Sequence, residues 1–117
     1  MNSKKVALFA FNGELMCFAH VLLNGMEYRN KKYDVKIIIE GQATGVINEI
    51  RRKENPFHEL YKKTKEAGLI DCVCKACATK MKALEAVNEE GLSVCDEMSG
   101  HPSMARYTDQ GFEIITF

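Results

Sequence analysis

The sequence predicts a three-layer α/β/α sandwich built on a five-stranded, mainly parallel sheet. Short apolar runs alternate along the chain with stretches whose apolar residues recur at helical spacing. Such alternation is typical of parallel sheets with right-handed crossovers and helices on both faces. The 117 residues are 46% hydrophobic and 27% charged, as in ordinary globular proteins. We therefore expect one domain over residues 1–117.

The first two strands are predicted from continuous apolar runs at residues 6–11 and 35–39, the pattern of strands covered on both faces. A helix follows the first run. Asn12 is its expected N-cap, and its apolar stripe reaches Met26. Residues 28–32 are polar and are interpreted as the connection to the second strand.

Two further helices are predicted before the third strand. The apolar spacing in residues 46–50 indicates a short helix, and Asn55 and Pro56 are typical of the N-cap and first residue of another, which ends at Gly68. Glu40 ends the second strand, so we expect its carboxylate at the carboxyl edge of the sheet.

The second half of the chain continues the alternation. One helix is predicted to begin at Cys77 and end near Gly91, and a short one begins at Pro102. The three remaining strands are residues 69–74, 92–95 and 112–117. The expected general architecture is flavodoxin-like, although periodicity does not fix the strand order.

Charge and hydropathy exclude several classes of protein. Sixteen basic and sixteen acidic residues balance, so no overall field favours nucleic acid or a membrane surface. The apolar runs are far shorter than the ~20 residues of a membrane span. The run at residues 6–11 is also too short for a signal peptide, and no cleavage site follows it. We expect a cytoplasmic protein that binds neither nucleic acid nor membrane.

Cysteines mark the one stretch that suggests chemistry. Three of the five, Cys72, Cys74 and Cys77, fall within six residues where the third strand meets a helix. An odd number of cysteines in a chain with a good core argues against a secreted disulfide scaffold. We expect reduced thiols that serve redox chemistry or metal binding.

The Cys74-Lys75-Ala76-Cys77 motif has several interpretations. A C-x-x-C pair can hold a disulfide, attack a sulfur donor or supply two metal ligands. A thiol at a helix N-terminus is also favoured as the thiolate. The plainer alternative is packing, with Cys72 and Cys74 as small strand residues on one face and Cys77 in the helix core. We expect Cys72 to be inert.

A zinc site is the second functional interpretation. Cys95 ends the fourth strand and His101 follows in a turn, so Cys74, Cys77, Cys95 and His101 could meet as tetrahedral zinc ligands. Strong zinc patterns consist of two close-spaced pairs, whereas Cys95 and His101 are six residues apart. His101 could otherwise orient or protonate a bound sulfur species, or be a simple loop residue.

With these residues in view, the chain resembles the DsrE/DsrF-like (sulfur-relay, TusD-like) family of small α/β proteins over nearly its whole length. The resemblance depends on the order of four features. They are the opening strand at residues 5–11, the Ile39-Glu40-Gly41 end of the second strand, a cysteine ending the third strand, and the closing residues 111–115. The chain departs from the family at residues 78–82, where many members have an arginine-glycine step.

The resemblance implies a function and a site. It implies that Cys74, with Cys77 as second cysteine, carries sulfane sulfur as a persulfide between donor and acceptor proteins, without a cofactor. Any activity is then at most sulfurtransferase-like. It also implies a homo-oligomer, either a trimer or a hexamer. The alternatives are a non-catalytic zinc-binding protein and an oligomeric α/β protein with inert core cysteines.

Overall fold

A computed structural model describes residues 4–117 as a parallel five-stranded sheet with helices on both faces. The strands are β1 (Lys5–Ala10), β2 (Asp34–Ile39), β3 (Ile70–Cys74), β4 (Val94–Cys95) and β5 (Glu113–Thr116). Their order is β4-β3-β2-β1-β5, and each neighbouring pair is parallel. The predicted α/β/α sandwich is confirmed.

The strand order explains how the helices divide between the two faces. The helices are α1 (Leu15–Asn30), α2 (Ala43–Ile50), α3 (His58–Glu66), α4 (Lys75–Lys80), α5 (Leu84–Glu89) and α6 (Met104–Asp109). From β1 to β4 the chain steps across the sheet in one direction, so right-handed crossovers place α1 to α5 on one face. The last crossover returns past β1 to β5, and α6 accordingly packs on the opposite face.

Two hydrophobic cores fix the strands in place. The larger lies under α1 to α5, where Phe18 and Leu22 of α1 pack with Leu8 and Ile37 of the sheet. Complete burial of each such side chain stabilises the fold by roughly 1.5–3 kcal/mol. The smaller core lies under α6 and contains Phe9, Ile38, Cys72, Cys95, Tyr107 and Phe112.

The end of α1 and the start of α3 are shifted from their predicted positions. Helix α1 continues to Asn30, into the predicted polar connection, because Glu27 and Arg29 lie on its exposed side. Helix α3 begins at His58, later than Pro56. Asn55 still caps this turn, since its Oδ1 accepts a hydrogen bond of 2.9 Å from the Phe57 N–H.

The prediction of a single helix between Cys77 and Gly91 is wrong. The structure divides this stretch into α4 and α5, because Lys82 adopts a left-handed conformation with φ of 57°. Met81, which the predicted apolar stripe placed in the core, is 37% exposed. Consequently α4 is a short helix that begins directly after β3, and Cys77 lies in its first turn.

Because all five strands are parallel, their carboxyl ends share one edge of the sheet. Glu40 follows β2 at this edge, as expected, and Cys74 and Cys95 end β3 and β4. Gly41 has a φ of 55°, which favours glycine where the chain leaves β2 for α2. Within residues 4–117, no helix has the length and apolar character needed to cross a membrane.

Candidate functional site

The strand-to-helix junction brings the two cysteines of the C-x-x-C motif together. Cys74 is both the last residue of β3 and the N-cap of α4, and Cys77 lies three residues further on. Residues three apart on a helical turn are neighbours in space. The two Sγ atoms are accordingly within 4.8 Å of each other.

His101 reaches both thiols from the loop between β4 and α6. Its Nδ1 lies 3.1 Å from the Cys74 Sγ and 3.8 Å from the Cys77 Sγ. Of the four residues proposed as zinc ligands, the structure thus brings Cys74, Cys77 and His101 together. These three form the thiol–imidazole cluster.

Backbone hydrogen bonds hold the loop that carries His101. The Ala76 N–H at the start of α4 donates to the Gly100 carbonyl at 2.9 Å. Met98 and His101 form an antiparallel bridge, with the two N–H groups donating to the opposite carbonyls at 2.8 and 3.0 Å. The turn between them has positive φ at Ser99 (52°) and Gly100 (91°). The imidazole is therefore placed by the backbone on both sides of it.

The two thiols differ in exposure. Cys74 is completely buried, and this burial raises the pKa of its thiol to about 12, although the Cys77 N–H acts in the opposite direction. The sequence suggested thiolate character at this junction, and at Cys74 the effect of burial is larger than that of the helix. Cys77 is half-buried and lines a cavity of about 220 Å³ with Gly41, Gln42, Lys80 and Met81. Cys77 is therefore the sulfur atom that a reactant can approach.

A buried carboxyl group lies beside the cluster. Glu40 is 7% exposed, and burial, with the nearby charge of Glu97, raises its pKa to about 7. Glu40 and His101 line the same cavity of about 470 Å³, together with Phe11, Met98 and residues 102–105, which lead into α6. The cluster therefore lies between two cavities at the carboxyl edge.

Cys95 does not join the cluster, contrary to the zinc-site prediction. It forms a disulfide with Cys72, with the Cα atoms 5.7 Å apart. Cys95 is in register with Cys74 on the neighbouring strand, but it shares the smaller core with Cys72. The expectation of reduced thiols is wrong for this pair, whereas Cys17, Cys74 and Cys77 are free.

A polar network behind the disulfide was not predicted from the sequence. The Tyr107 hydroxyl donates to the Asp71 carboxylate, and the Arg106 Nη2 donates to the Tyr107 oxygen at 3.0 Å. Arg106 also pairs with Glu97 through its Nε at 2.8 Å. Burial, followed by the Asp71 contact, raises the pKa of Tyr107. Asp71 lies 36 positions before Tyr107 in the sequence, so no local pattern indicates their contact.

Comparison with known proteins identifies the family. The model of the DsrE/DsrF-like family matches residues 5–117. The chain belongs to this family. Members of the family act in sulfur relay with partner proteins. The resemblance expected from the strand ends and the cysteines is therefore confirmed.

Two relatives of this DsrE-like chain are uncharacterized proteins. An uncharacterized protein of Methanocaldococcus jannaschii is 31% identical over 96 residues, which are 82% of this chain and 76% of that protein. An uncharacterized protein of Archaeoglobus fulgidus is 46% identical over 44 residues, 38% of this chain and 72% of its own length. No solved structure gives a significant match.

Proposed function

We propose that this DsrE-like protein carries sulfane sulfur as a persulfide, with Cys77 as the acceptor atom and Cys74 as its partner. The observation that carries the proposal is the thiol–imidazole cluster at the carboxyl edge, where Cys77 is half-buried beside a cavity. In parallel α/β sheets this edge is where ligands bind. We also propose that the protein is cytoplasmic. It is proposed to form a homo-oligomer, either a trimer or a hexamer, because the family resemblance implies one.

The transfer step needs no external oxidant or reductant. The Cys77 thiolate attacks the outer sulfur of a donor persulfide, R–S–SH. A bond forms between the Cys77 Sγ and that sulfur, the S–S bond of the donor breaks, and its electron pair leaves with the inner sulfur as R–S⁻. An acceptor thiolate then attacks the outer sulfur of the Cys77 persulfide and regenerates the Cys77 thiolate. The charge is the same before and after each step.

His101 and the cavity wall supply the supporting chemistry. The His101 Nδ1 lies 3.8 Å from the Cys77 Sγ, so it can take the thiol proton before attack in place of its contact with Cys74 and return it afterwards. Lys80 lines the same cavity as Cys77, so its positive charge lies beside the persulfide that Cys77 would carry. Cys74, buried and 3.1 Å from the same imidazole, holds the ring in position.

Exposed apolar side chains beside the site support exchange with partner proteins. Phe11, Met81 and Met98 are 36%, 37% and 53% exposed and line the two cavities next to the cluster. Exposed apolar residues that surround a functional site are typical of protein docking surfaces. We propose that the donor and acceptor proteins bind here, with their cysteines directed at Cys77.

Intact mass spectrometry tests the proposal. The native chain, treated with a persulfide donor and freed of excess reagent, should gain about 32 Da, and a mild reductant should remove it. Cys77→Ser should abolish the gain, and Cys17→Ser, which removes the free thiol of α1, should leave it unchanged. A gain that persists in Cys77→Ser but disappears in Cys17→Ser would contradict the assignment.

A further inference from the structure

We propose that Cys74, Cys77 and His101 also form a binding site for a thiophilic transition-metal ion, best fitted to Zn²⁺, with the fourth coordination position open. This function is separate from sulfur carriage and does not depend on it. The three side chains come from β3, α4 and the loop before α6.

The distances match a tetrahedral site. Zn–S bonds of about 2.3 Å and Zn–N bonds of about 2.0–2.1 Å place sulfur and nitrogen ligands ~3.6 Å apart in a tetrahedron. The two observed Sγ–Nδ1 distances are 3.1 Å for Cys74 and 3.8 Å for Cys77. One is shorter than the ideal separation and the other longer, so adjustments of roughly 0.5 Å bring all three atoms onto one ion.

The ligand types select the ion. Two thiolates and an imidazole suit Zn²⁺ or Cu⁺, whereas Mg²⁺ and Ca²⁺ prefer oxygen ligands. Two thiolates balance the charge of Zn²⁺, so the occupied site is neutral with a neutral imidazole. This charge balance suits a cluster in which Cys74 is buried and the other two ligands are half-buried.

The site is already assembled before the ion arrives. The Ala76–Gly100 hydrogen bond joins the helix that carries Cys77 to the turn that carries His101. The Met98–His101 bridge fixes the turn itself. Because the backbone is held in place, metal binding needs only small side-chain rotations and no folding step, which favours affinity.

The fourth position is open because the expected fourth ligand is engaged elsewhere. Cys95 is bonded to Cys72. Three protein ligands leave one position for water or an exogenous ligand. The cavities beside Cys77 and His101 give small molecules access to it. Since the metal and the persulfide use the same sulfur atoms, an ion in the site should block sulfur uptake.

Titration of the full, metal-free chain with Co²⁺ tests the site. We expect one equivalent to bind, with a thiolate-to-cobalt charge-transfer band and the visible bands of tetrahedral Co²⁺, and Zn²⁺ should displace it. Addition of a small thiol should shift the visible bands, because the fourth position is open. Bands typical of six-coordinate Co²⁺, or no thiolate band at all, would overturn the proposal.

Variants with matched controls assign the ligands. Cys77→Ser, and either His101→Ala or His101→Asn, should each weaken Co²⁺ binding by at least ~100-fold, since even outer-shell partners typically contribute 10–100-fold. The double variant Cys17→Ser/His20→Ala removes one thiol and one imidazole from α1 and should bind as the unmodified chain does. Equal loss in this control, or retained binding in the site variants, would overturn the assignment. Circular dichroism checks that each variant is folded.

A separate readout distinguishes this proposal from sulfur carriage. The 32 Da persulfide gain is measured on metal-free chain and again after loading with one equivalent of Zn²⁺. We expect the gain without metal and its loss with metal. Co²⁺ binding without any persulfide gain would refute sulfur carriage and leave the metal site standing. A persulfide gain without Co²⁺ binding would refute the metal site alone.

Discussion

Strand β3 carries two cysteines, two residues apart, of which one forms a disulfide and the other is a free thiol. Cys72 is closed in a disulfide with Cys95 and covered by Tyr107 of α6. Cys74, on the same face of the strand, remains a thiol beside His101. The difference is what lies over each position. Cys72 is within the sheet and meets a neighbouring strand and a helix, whereas Cys74 ends its strand and meets the loop that carries His101.

What packs over each side chain, more than its place at the carboxyl edge, decides what a cysteine does here, because Cys95 also ends a strand at that edge. The closed pair, Cys72 and Cys95, belongs to the smaller core. The open pair, Cys74 and Cys77, belongs to the junction between β3 and α4. Changes to the closed pair should therefore affect stability, and changes to the open pair should affect sulfur uptake.

Removal of the closed pair should have the largest effect on stability. The disulfide joins residues separated by 23 positions. Closing a loop of this size lowers the conformational entropy of the unfolded chain and so stabilises the fold by about 3 kcal/mol. We expect Cys72→Ala/Cys95→Ala to lower the free energy of unfolding by about that amount in urea titrations. The persulfide gain at Cys77 should remain. A loss below ~1 kcal/mol together with failed sulfur uptake would reverse the roles of the two pairs.

Glu40→Gln should stabilise the protein in a pH-dependent way. The folded pKa of about 7 lies above the ordinary 4.5, so the carboxyl is protonated in both states below pH 4.5. As the pH rises towards 7, the unfolded state ionises first and the folded state loses stability. The variant should gain about 1–3 kcal/mol above pH 7 and nothing near pH 4. Glu27→Gln on exposed α1 is the control, and equal gains in both variants would contradict this account.

Tyr107→Phe tests the network behind the closed pair. The change removes the hydrogen bonds to Asp71 and Arg106. Lys36 still contacts the Asp71 carboxylate at 3.4 Å, so this charge keeps one partner. We expect a loss of about 1 kcal/mol in urea unfolding. Tyr28→Phe on α1 serves as control. An undiminished stability would show that the network does not support the disulfide face.

Local pattern predicted the fold and the proximity of Cys74 and Cys77. Each apolar run became a strand, and the C-x-x-C spacing placed Cys74 and Cys77 within reach of each other. The position of His101 in a turn after β4 was enough to suggest a ligand. These features depend on neighbours in the chain and on the rule that parallel strands end at one edge.

The disulfide of the closed pair could not be predicted from the local sequence pattern. The pairing of Cys72 with Cys95 depends on β4 lying beside β3 in a particular register, which periodicity does not fix. The same applies to the contact between Asp71 and Tyr107. The break at Lys82 was missed because lysine has no marked preference for positive φ. The burial of Cys74, which raises its pKa, also follows only from the packed structure.

Mapping the sulfur atom on the native chain tests the central claim most directly. After treatment with a persulfide donor, thiols and persulfides are alkylated without reductant and the chain is digested with trypsin. Cleavage after Lys75 places Cys77 in the peptide 76–80 and Cys74 in the peptide that ends at Lys75, with Cys72. We predict the added 32 Da in the peptide 76–80, with Cys72 and Cys95 recovered as an unmodified disulfide. Sulfur on Cys72 or Cys95, or none on either Cys74 or Cys77, would contradict the assignment of the open pair as the sulfur-carrying site.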